Sequence, residues 1–327
     1  MTTVRILGMG KYTPEHTVSN DELATFVDTN DEWIVSRTGV KKRHFLAEGQ
    51  QNSDMAVEAA RAALKDAGLE PSDITHVVVA TVTPDMLCPS TACIASDKLG
   101  IHGVMSFDIE AACSGFIYGL DVARCLLNTY QDGKVLLICS EALTRRTNWK
   151  DRSSCILMGD GAGALVLAAG EGPAKARLLD VTCHSDGAMW QTITVGGGSS
   201  KRYDEGNTVG DDFYIGMAGR DTYKIAVRKL TSVSKEILER NGFTLEDIGL
   251  FVPHQANLRI MEAVGHRLQL PPEKLMVSID KNGNTSSATI PIALAEAVDE
   301  GRIKPGMLVL MSAFGGGMTW SAGLLQF

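Results

Sequence analysis

The stretch Leu64-Lys65-Asp66-Ala67-Gly68-Leu69-Glu70-Pro71-Ser72-Asp73-Ile74-Thr75-His76-Val77-Val78 returns later as Leu238-Glu239-Arg240-Asn241-Gly242-Phe243-Thr244-Leu245-Glu246-Asp247-Ile248-Gly249-Leu250-Phe251-Val252. Gly68 and Gly242 are 174 positions apart, and so are Asp73 and Asp247. Each copy reads as a helix closed by glycine, a short acidic turn and a buried strand. Gly133-Lys134-Val135-Leu136-Leu137-Ile138-Cys139 matches Gly306-Met307-Leu308-Val309-Leu310-Met311-Ser312 at a separation of 173. Leu99-Gly100-Ile101 parallels Leu268-Gln269-Leu270, and Phe107-Asp108 parallels Ile279-Asp280. Solenoid repeats run roughly 20–50 residues, so this period marks one duplicated unit instead. The halves are placed at residues 1–172 and 173–327. Apolar strands alternate with amphipathic helices in both, the pattern of an α/β fold with mixed, parallel-rich sheets layered with helices.

A chain of 327 residues supports a substantial core. Hydrophobic residues make up 44% and charged residues 21%, the proportions of an ordinary globular protein. The net charge of −8 argues against a general nucleic-acid binder, although a local basic patch could still meet an acidic partner. No apolar stretch approaches membrane-spanning length. The seven cysteines form no regular framework and no Cys-x-x-Cys pair, and Cys88 and Cys93 have no histidine nearby, so no metal is expected. The start Met1-Thr2-Thr3-Val4-Arg5 lacks the basic and apolar regions of a signal peptide. Reduced thiols and a cytoplasmic location follow.

The chemistry concentrates in three places. Cys113 sits in Asp108-Ile109-Glu110-Ala111-Ala112-Cys113-Ser114-Gly115, ahead of Phe116, Leu120, Ala123 and Leu127, whose spacing puts them on one helix face. A helix N-terminus favours a thiolate, and the small neighbours let another molecule approach, as a nucleophile requires. Asn284 lies in Asn282-Gly283-Asn284-Thr285-Ser286, the turn that parallels that of Cys113. His254 ends the strand Leu250-Phe251-Val252-Pro253. All three are expected beyond the carboxyl ends of strands, where open α/β sheets place their sites, with pseudo-symmetry bringing the two turns face to face.

Each residue also has a plainer reading: Cys113 as a buried thiol, His254 as a satisfied strand-end histidine, Asn284 as a helix cap. Joint placement at related positions favours the functional one. Gly159-Asp160-Gly161-Ala162-Gly163 precedes a strand, whereas a dinucleotide fingerprint follows one, so a tight turn with close backbone packing is expected. Gly8-Met9-Gly10 lacks the third glycine of such a fingerprint. Phe314-Gly315-Gly316-Gly317 is either a flexible turn or a carrier of a bare N–H for a developing oxyanion. Trp33, Arg37 and Lys41 form either a solvated basic face or a platform for a flat base and its phosphates. The Gly/Ser-rich, charged segment from Gly196 to Asp212 reads as a surface loop or a lid.

Taken together, these stretches resemble the β-ketoacyl-acyl-carrier-protein synthase III family, the initiating condensing enzymes of bacterial fatty-acid synthesis, with the thiolase fold. The resemblance runs essentially end to end. It is carried by Asp31-Glu32-Trp33-Ile34, Arg37-Thr38-Gly39, Ala111-Ala112-Cys113-Ser114-Gly115-Phe116, Gly159-Asp160-Gly161-Ala162-Gly163, Val252-Pro253-His254-Gln255-Ala256-Asn257, Gly283-Asn284-Thr285-Ser286 and Phe314-Gly315-Gly316-Gly317. It implies an α-β-α-β-α sandwich and a homodimer. It further implies that Cys113 takes an acyl group from acyl-CoA, with the N–H groups of Cys113 and Gly316 as oxyanion hole. His254, kept neutral by burial, and Asn284 would then hydrogen-bond the thioester carbonyl of malonyl-acyl-carrier protein as carbon dioxide leaves. No cofactor is implied, since CoA thioester and carrier phosphopantetheine are substrates. Trp33, Arg37 and Arg152 correspond to CoA contacts, Arg259, one helical turn beyond His254, to a carrier contact, and Phe314 to a gate on the malonyl side.

One departure stands out in this comparison. Cys88 occupies a position where acetyl-selective relatives carry a bulky aromatic that reaches the partner subunit's acyl pocket, which predicts a broader primer range. Three other readings compete: a specialised condensing relative, a cysteine hydrolase using the same Cys/His/Asn set, and a non-catalytic subunit, against which the intact Cys113 argues.

Overall fold

The computed structural model describes residues 3–196 and 211–327. The first half supplies β1 (Val4–Tyr12), β2 (His76–Ala80), β3 (Met105–Ile109), β4 (Lys134–Ala142) and β5 (Asp160–Ala169). The second supplies β6 (Ala176–Ser185), β7 (Ile248–Pro253), β8 (Leu308–Gly315) and β9 (Thr319–Gln326). Their order is β7-β8-β9-β6-β1-β5-β4-β2-β3, so the first strands of the two halves pair at the centre. On either side of that junction the strands follow one plan. The strand that would mirror β3 is reduced to a single parallel bridge between Leu275 and Phe251.

The sheet is mixed as expected but not parallel-rich. Parallel pairing is confined to β2 with β3 and β4, and to β7 with β8. The five pairings from β4 through the junction to β8 are antiparallel. The reason is local: β9 returns directly beside β8 through a short turn, and an antiparallel neighbour needs no crossover helix.

The helices give the five layers. On one outside lie α2 (Asn52–Ala67) and α3 (Thr91–Leu99), while α4 (Gly115–Thr129) and α7 (Thr289–Asp299) are sandwiched between the halves. On the other outside lie α5 (Gly219–Arg240) and α6 (Leu258–Arg267). A shorter helix, α1 (Asp31–Thr38), docks beside α6. Phe116, Leu120, Ala123 and Leu127 are fully buried, as the spacing requires of a central-layer helix.

Equivalent hydrogen bonds mark the duplication. Leu69 N bonds Leu64 O at 3.0 Å and Phe243 N bonds Leu238 O at 3.0 Å, closing α2 and α5 with the same glycine-assisted turn. The Asp73 carboxylate then accepts the Glu70 N–H at 2.9 Å, and Asp247 accepts that of Thr244 at 2.7 Å.

Two glycine stretches explain themselves by packing. Gly161 and Gly163 lie within β5 and not in a turn, and a Cβ on Gly163 would come 2.7 Å from Pro291 of α7. Gly8 and Gly10 let β1 lie directly on α2: a Cβ on Gly10 would collide with Ala63 N and Ala59 O. Those are backbone atoms of a helix and cannot turn aside. Gly10→Ala should therefore cost about 3 kcal/mol through overpacking, read as a lowered urea midpoint with unchanged slope.

Candidate active site

The chain leaves β3 into a single turn, Ala112–Ser114, and enters α4 at Gly115. The second half repeats this with the turn Ser286–Ala288, which enters α7 at Thr289. Ala112 and Ser286 both have left-handed backbones, φ 46° and 49°. Such conformations are uncommon outside glycine and concentrate at functional sites. The separation is again 174, so Cys113 corresponds to Ser287, and Asn284 lies just ahead of the equivalent turn. Asn284 follows the short helix Ile279–Asn282, not a strand as expected, because the strand in that position has dwindled to one bridge.

The two turns pack against each other, and the cysteine turn packs against the end of β8. A Cβ on Gly115 would lie 3.1 Å from Ser287, and one on Gly315 would lie 2.6 Å from Cys113 N. Glycine at 315 is what allows β8 to approach the cysteine backbone. The neighbouring Gly316 also lies against this turn, 3.6 Å from Ala112 Cβ if a Cβ is built on it.

Cys113 is only partly reachable by solvent and sits in dense surroundings. Burial pushes its thiol up to about 12, helped by the carboxylates of Glu141 and Glu110 and opposed by a hydrogen bond with the Ser286 hydroxyl. Burial thus works against the thiolate expected at the helix N-terminus, although α4 does start two residues later. A value raised this far keeps Cys113 a thiol at neutral pH.

His254 follows β7, with its N–H on Ser312 O at 2.8 Å and its ring Nδ1 2.7 Å from Thr289 Oγ1. It is buried, and burial alone pushes it down to about 3, so the imidazole is neutral at ordinary pH. The neighbouring Gln255 fixes the backbone by donating to Pro253 O and Met276 O and accepting from Ser278 N. Asn284 is buried, donates its N–H to Leu157 O at 2.8 Å and accepts the Ser286 N–H on Oδ1 at 2.8 Å. That last bond orients the amide and leaves its Nδ2 as donor. Among the described residues, Thr285 Oγ1 and Ser312 Oγ, beside Asn284 and His254, are buried without a hydrogen-bond partner.

Beneath both turns lies Glu141 of β4, fully buried. One oxygen accepts from Ser287 Oγ at 2.8 Å, the other from Val82 N at 3.0 Å and Thr83 Oγ1 at 2.9 Å. Burial raises Glu141 to about 6 despite these bonds. Sequence reasoning missed Glu141, Ser286, Ser287 and Thr289. Only the Ser/Thr density after Asn284 hinted at them.

The peripheral residues divide into four places. Arg152, from the short helix Arg152–Cys155, lies 4.9 Å over the Trp33 ring of α1, and Arg37 lies 6.0 Å from the same ring. The fold therefore gathers all three predicted nucleotide contacts on one exposed face. Arg259 is exposed in the first turn of α6. It is not one helical turn beyond His254, because residues 254–257 are non-helical and Asn257 caps α6. Asn257 Nδ2 also bonds Arg37 O at 3.0 Å, joining α6 to α1. Phe314 is buried near the end of β8. Cys88 is exposed in the loop before α3, outside the buried cluster at Cys113.

The strands Ile193–Val195 and Ile215–Met217 pair with each other, and Ile193 O lies against Gly316. Most of the charged segment predicted as a loop or lid, residues 197–210, lies outside the described residues. Among the described residues, no group of three or more His, Cys, Asp or Glu could hold a metal, and no helix is long and apolar enough to cross a membrane.

A duplicated five-layer sandwich with cysteine and asparagine turns facing each other across the halves defines a thiolase-fold condensing enzyme. Family models described as 3-oxoacyl-[acyl-carrier-protein] synthase III match residues 107–187 and, for its C-terminal part, 238–327. A β-ketoacyl-[acyl-carrier-protein] synthase III of Nitratidesulfovibrio vulgaris is 54% identical over 99% of this chain and 97% of its own. The crystal structure of the 3-oxoacyl-[acyl-carrier-protein] synthase III of Aquifex aeolicus superposes with a TM-score of 0.90 at 42% identity, covering 99% of this chain and 100% of that one. A priming β-ketosynthase of the R1128 polyketide pathway superposes with 0.90 at 33% identity, covering 99% and 96%. The chain belongs to the β-ketoacyl-acyl-carrier-protein synthase III family.

Proposed function

We propose that this chain joins an acyl-CoA primer to malonyl-acyl-carrier protein with loss of carbon dioxide, giving β-ketoacyl-acyl-carrier protein and CoA and initiating fatty-acid synthesis. The observation that carries the reading is the packing of the Cys113 turn against the turn that follows Asn284, with His254 held at 2.7 Å to Thr289 at the start of the helix that the second turn opens.

In the first half-reaction Cys113 sulfur attacks the primer thioester. The thiol proton goes to the departing CoA sulfur, and the tetrahedral oxyanion is held by the N–H groups of Cys113 and Gly316. In the second, His254 and Asn284 hydrogen-bond the malonyl thioester carbonyl while the carboxylate leaves as carbon dioxide. The enolate carbon then attacks acyl-Cys113 and expels the cysteine sulfur. Decarboxylation drives the carbon–carbon bond, so the scheme uses no metal or redox cofactor. Trp33, Arg37 and Arg152 receive the CoA nucleotide by stacking and charge. Arg259, beside Arg37 at the α1–α6 joint, meets the phosphate of the carrier's phosphopantetheine, and Phe314 gates the malonyl side.

The working form is a homodimer. Among the described residues β3 ends the sheet with one edge unpaired, Met105 on it is 46% exposed, and Met86 and Leu87 in the adjoining loop are 49% and 71% exposed. An open edge beside exposed apolar side chains is a natural seat for a second copy. That arrangement carries Cys88 toward the partner's acyl pocket. The seven unpaired cysteines suit a reducing cytoplasm.

The direct test is intact mass after incubation with acetyl-, branched- and medium-chain acyl-CoA without malonyl substrate. An acyl adduct mapped to Cys113 is expected, and no adduct from any of them would defeat the CoA assignment. Free acid released without malonyl substrate would mean a hydrolase. Cys88→Phe should narrow the primer range toward acetyl-CoA by about tenfold in relative kcat/KM, the scale of a filled apolar pocket. Unchanged selectivity would remove Cys88 from the acyl pocket.

A further inference from the structure

Ser287 holds the position in the second half that Cys113 holds in the first, and its hydroxyl reaches back across the junction. Its Oγ lies 3.1 Å from Ala80 O at the end of β2 and 2.8 Å from Glu141 Oε1 on β4. Both partners belong to the first half, whereas Ser287 sits in the turn just after Asn284. Ser287 is 1% and Glu141 0% exposed, so water does not reach this bond to replace it. The other Glu141 oxygen accepts from Val82 N at 3.0 Å and from the hydroxyls of Thr83 at 2.9 Å and Thr81 at 3.3 Å. One end of the carboxylate is thereby fixed within the first half while the other end grips the second. Gly115, two residues after Cys113, fits into the same joint: a Cβ on it would lie 3.1 Å from both Ala80 Cβ and Ser287 Cβ.

We propose that Glu141 and Ser287 are positioning residues, a pin across the two halves that keeps the Asn284 turn at bond-forming distance from Cys113. The inference rests on the condensing reading and deepens it. In that reading the malonyl enolate forms against His254 and Asn284 of one half, while its electrophile, the acyl group on Cys113, belongs to the other. As carbon dioxide leaves, the electron pair of the broken bond becomes the enolate, which has two fates. Its carbon attacks the acyl carbonyl and expels the cysteine sulfur, which takes a proton from water. Otherwise the carbon itself takes a proton from water, and the product is only acetyl-carrier. Carbon–carbon bonding needs the reacting atoms about 3–3.5 Å apart, and a misplacement of about 1 Å costs about 10²-fold. Protonation by water makes no such demand. Loosening the pin therefore changes the partition between the two fates more than it changes either half-reaction.

The test supplies acetyl-CoA and malonyl-acyl-carrier protein labelled with carbon-13 in the malonyl group, and reads by mass the ratio of labelled β-ketoacyl-carrier to labelled acetyl-carrier. In Ser287→Ala this ratio should fall at least about tenfold, while Cys113 acylation by acetyl-CoA alone stays within about twofold of wild type. Glu141→Gln should hold the ratio. Its oxygen can accept from Val82 and Thr83, its amide can donate to Ser287 Oγ, and the Ser287 hydroxyl can donate to Ala80 O. Partial unfolding would lower both products together and leave their ratio unchanged, which separates positioning from stability. Should Ser287→Ala not fold, Ser287→Cys, whose thiol is a weak donor, takes its place and should also lower the ratio. An unchanged ratio in the folded Ser287 variant overturns the proposal, as does a Glu141→Gln protein uncoupled as fully as Ser287→Ala. No condensation by wild type would defeat the condensing reading itself, and the pin with it.

Discussion

Replacing Cys113 with alanine is expected to abolish the acyl adduct and lower condensation by at least about 10³-fold, while malonyl-carrier decarboxylation continues. The asymmetry follows from where the groups sit. In the proposed scheme Cys113 and the Gly315-Gly316 approach serve acyl transfer, whereas Asn284 and His254 lie in the opposing half and keep their hydrogen bonds to Ser286 and Thr289 without the thiol. Removing one sulfur from a partly buried position leaves the turn's backbone intact. Decarboxylation falling in step with condensation would show that the two half-reactions are not divided in this way. A thiol raised to about 12 adds a second expectation. Alkylation of Cys113 by iodoacetamide should be slow at pH 7 and should climb about tenfold per pH unit through pH 10, since the thiolate is the nucleophile. A plateau near pH 7 would mean that the helix dipole prevails over burial.

The second large effect is on stability. His254 stands at about 3 in the folded protein against an ordinary 6.5. Between those values the unfolded chain binds a proton that the native state refuses, so stability falls as pH drops through this window and is whole above it. At pH 5 the contribution is about 2 kcal/mol, from 1.36 kcal/mol per unit. Glu141 and Asp160 act with the opposite sign, because burial raises both to about 6 and the native state then holds protons that the unfolded state has released. Comparing wild type with His254→Gln cancels those carboxylates. Wild type should lose about 2 kcal/mol more than the variant between pH 7.5 and pH 5 by urea unfolding. Parallel curves would mean that His254 is protonated in the native state.

The duplication was legible because it resides in short-range rules. Gly68 and Gly242 close helices through bonds to residues a few positions back, and Asp73 and Asp247 hold the following turns. Rules of that range survive divergence as visible spacing. Phe116, Leu120, Ala123 and Leu127 showed their buried face for the same reason. Candidate nucleophile, histidine and asparagine stood out because each lies at the end of a recognisable element. Composition and periodicity could not reveal the strand order, in which β1 pairs with β6, nor the predominance of antiparallel pairs.

What the amino-acid sequence determined by itself, then, was the repeated unit, its element types and the three candidate residues of the proposed chemistry. The tertiary structure decided the state of those residues. Whether Cys113 is thiol or thiolate depends on desolvation by the whole surroundings, which raises the thiol and which the sequence does not display. The same holds for the network of Glu141, Ser286, Ser287 and Thr289. Glu141 and Ser287 are 146 positions apart, and His254 and Thr289 are 35 apart, yet each pair meets at hydrogen-bond distance. A hydrogen bond needs its partners within about 3 Å, and no periodicity in a linear chain records which distant groups folding will bring that close.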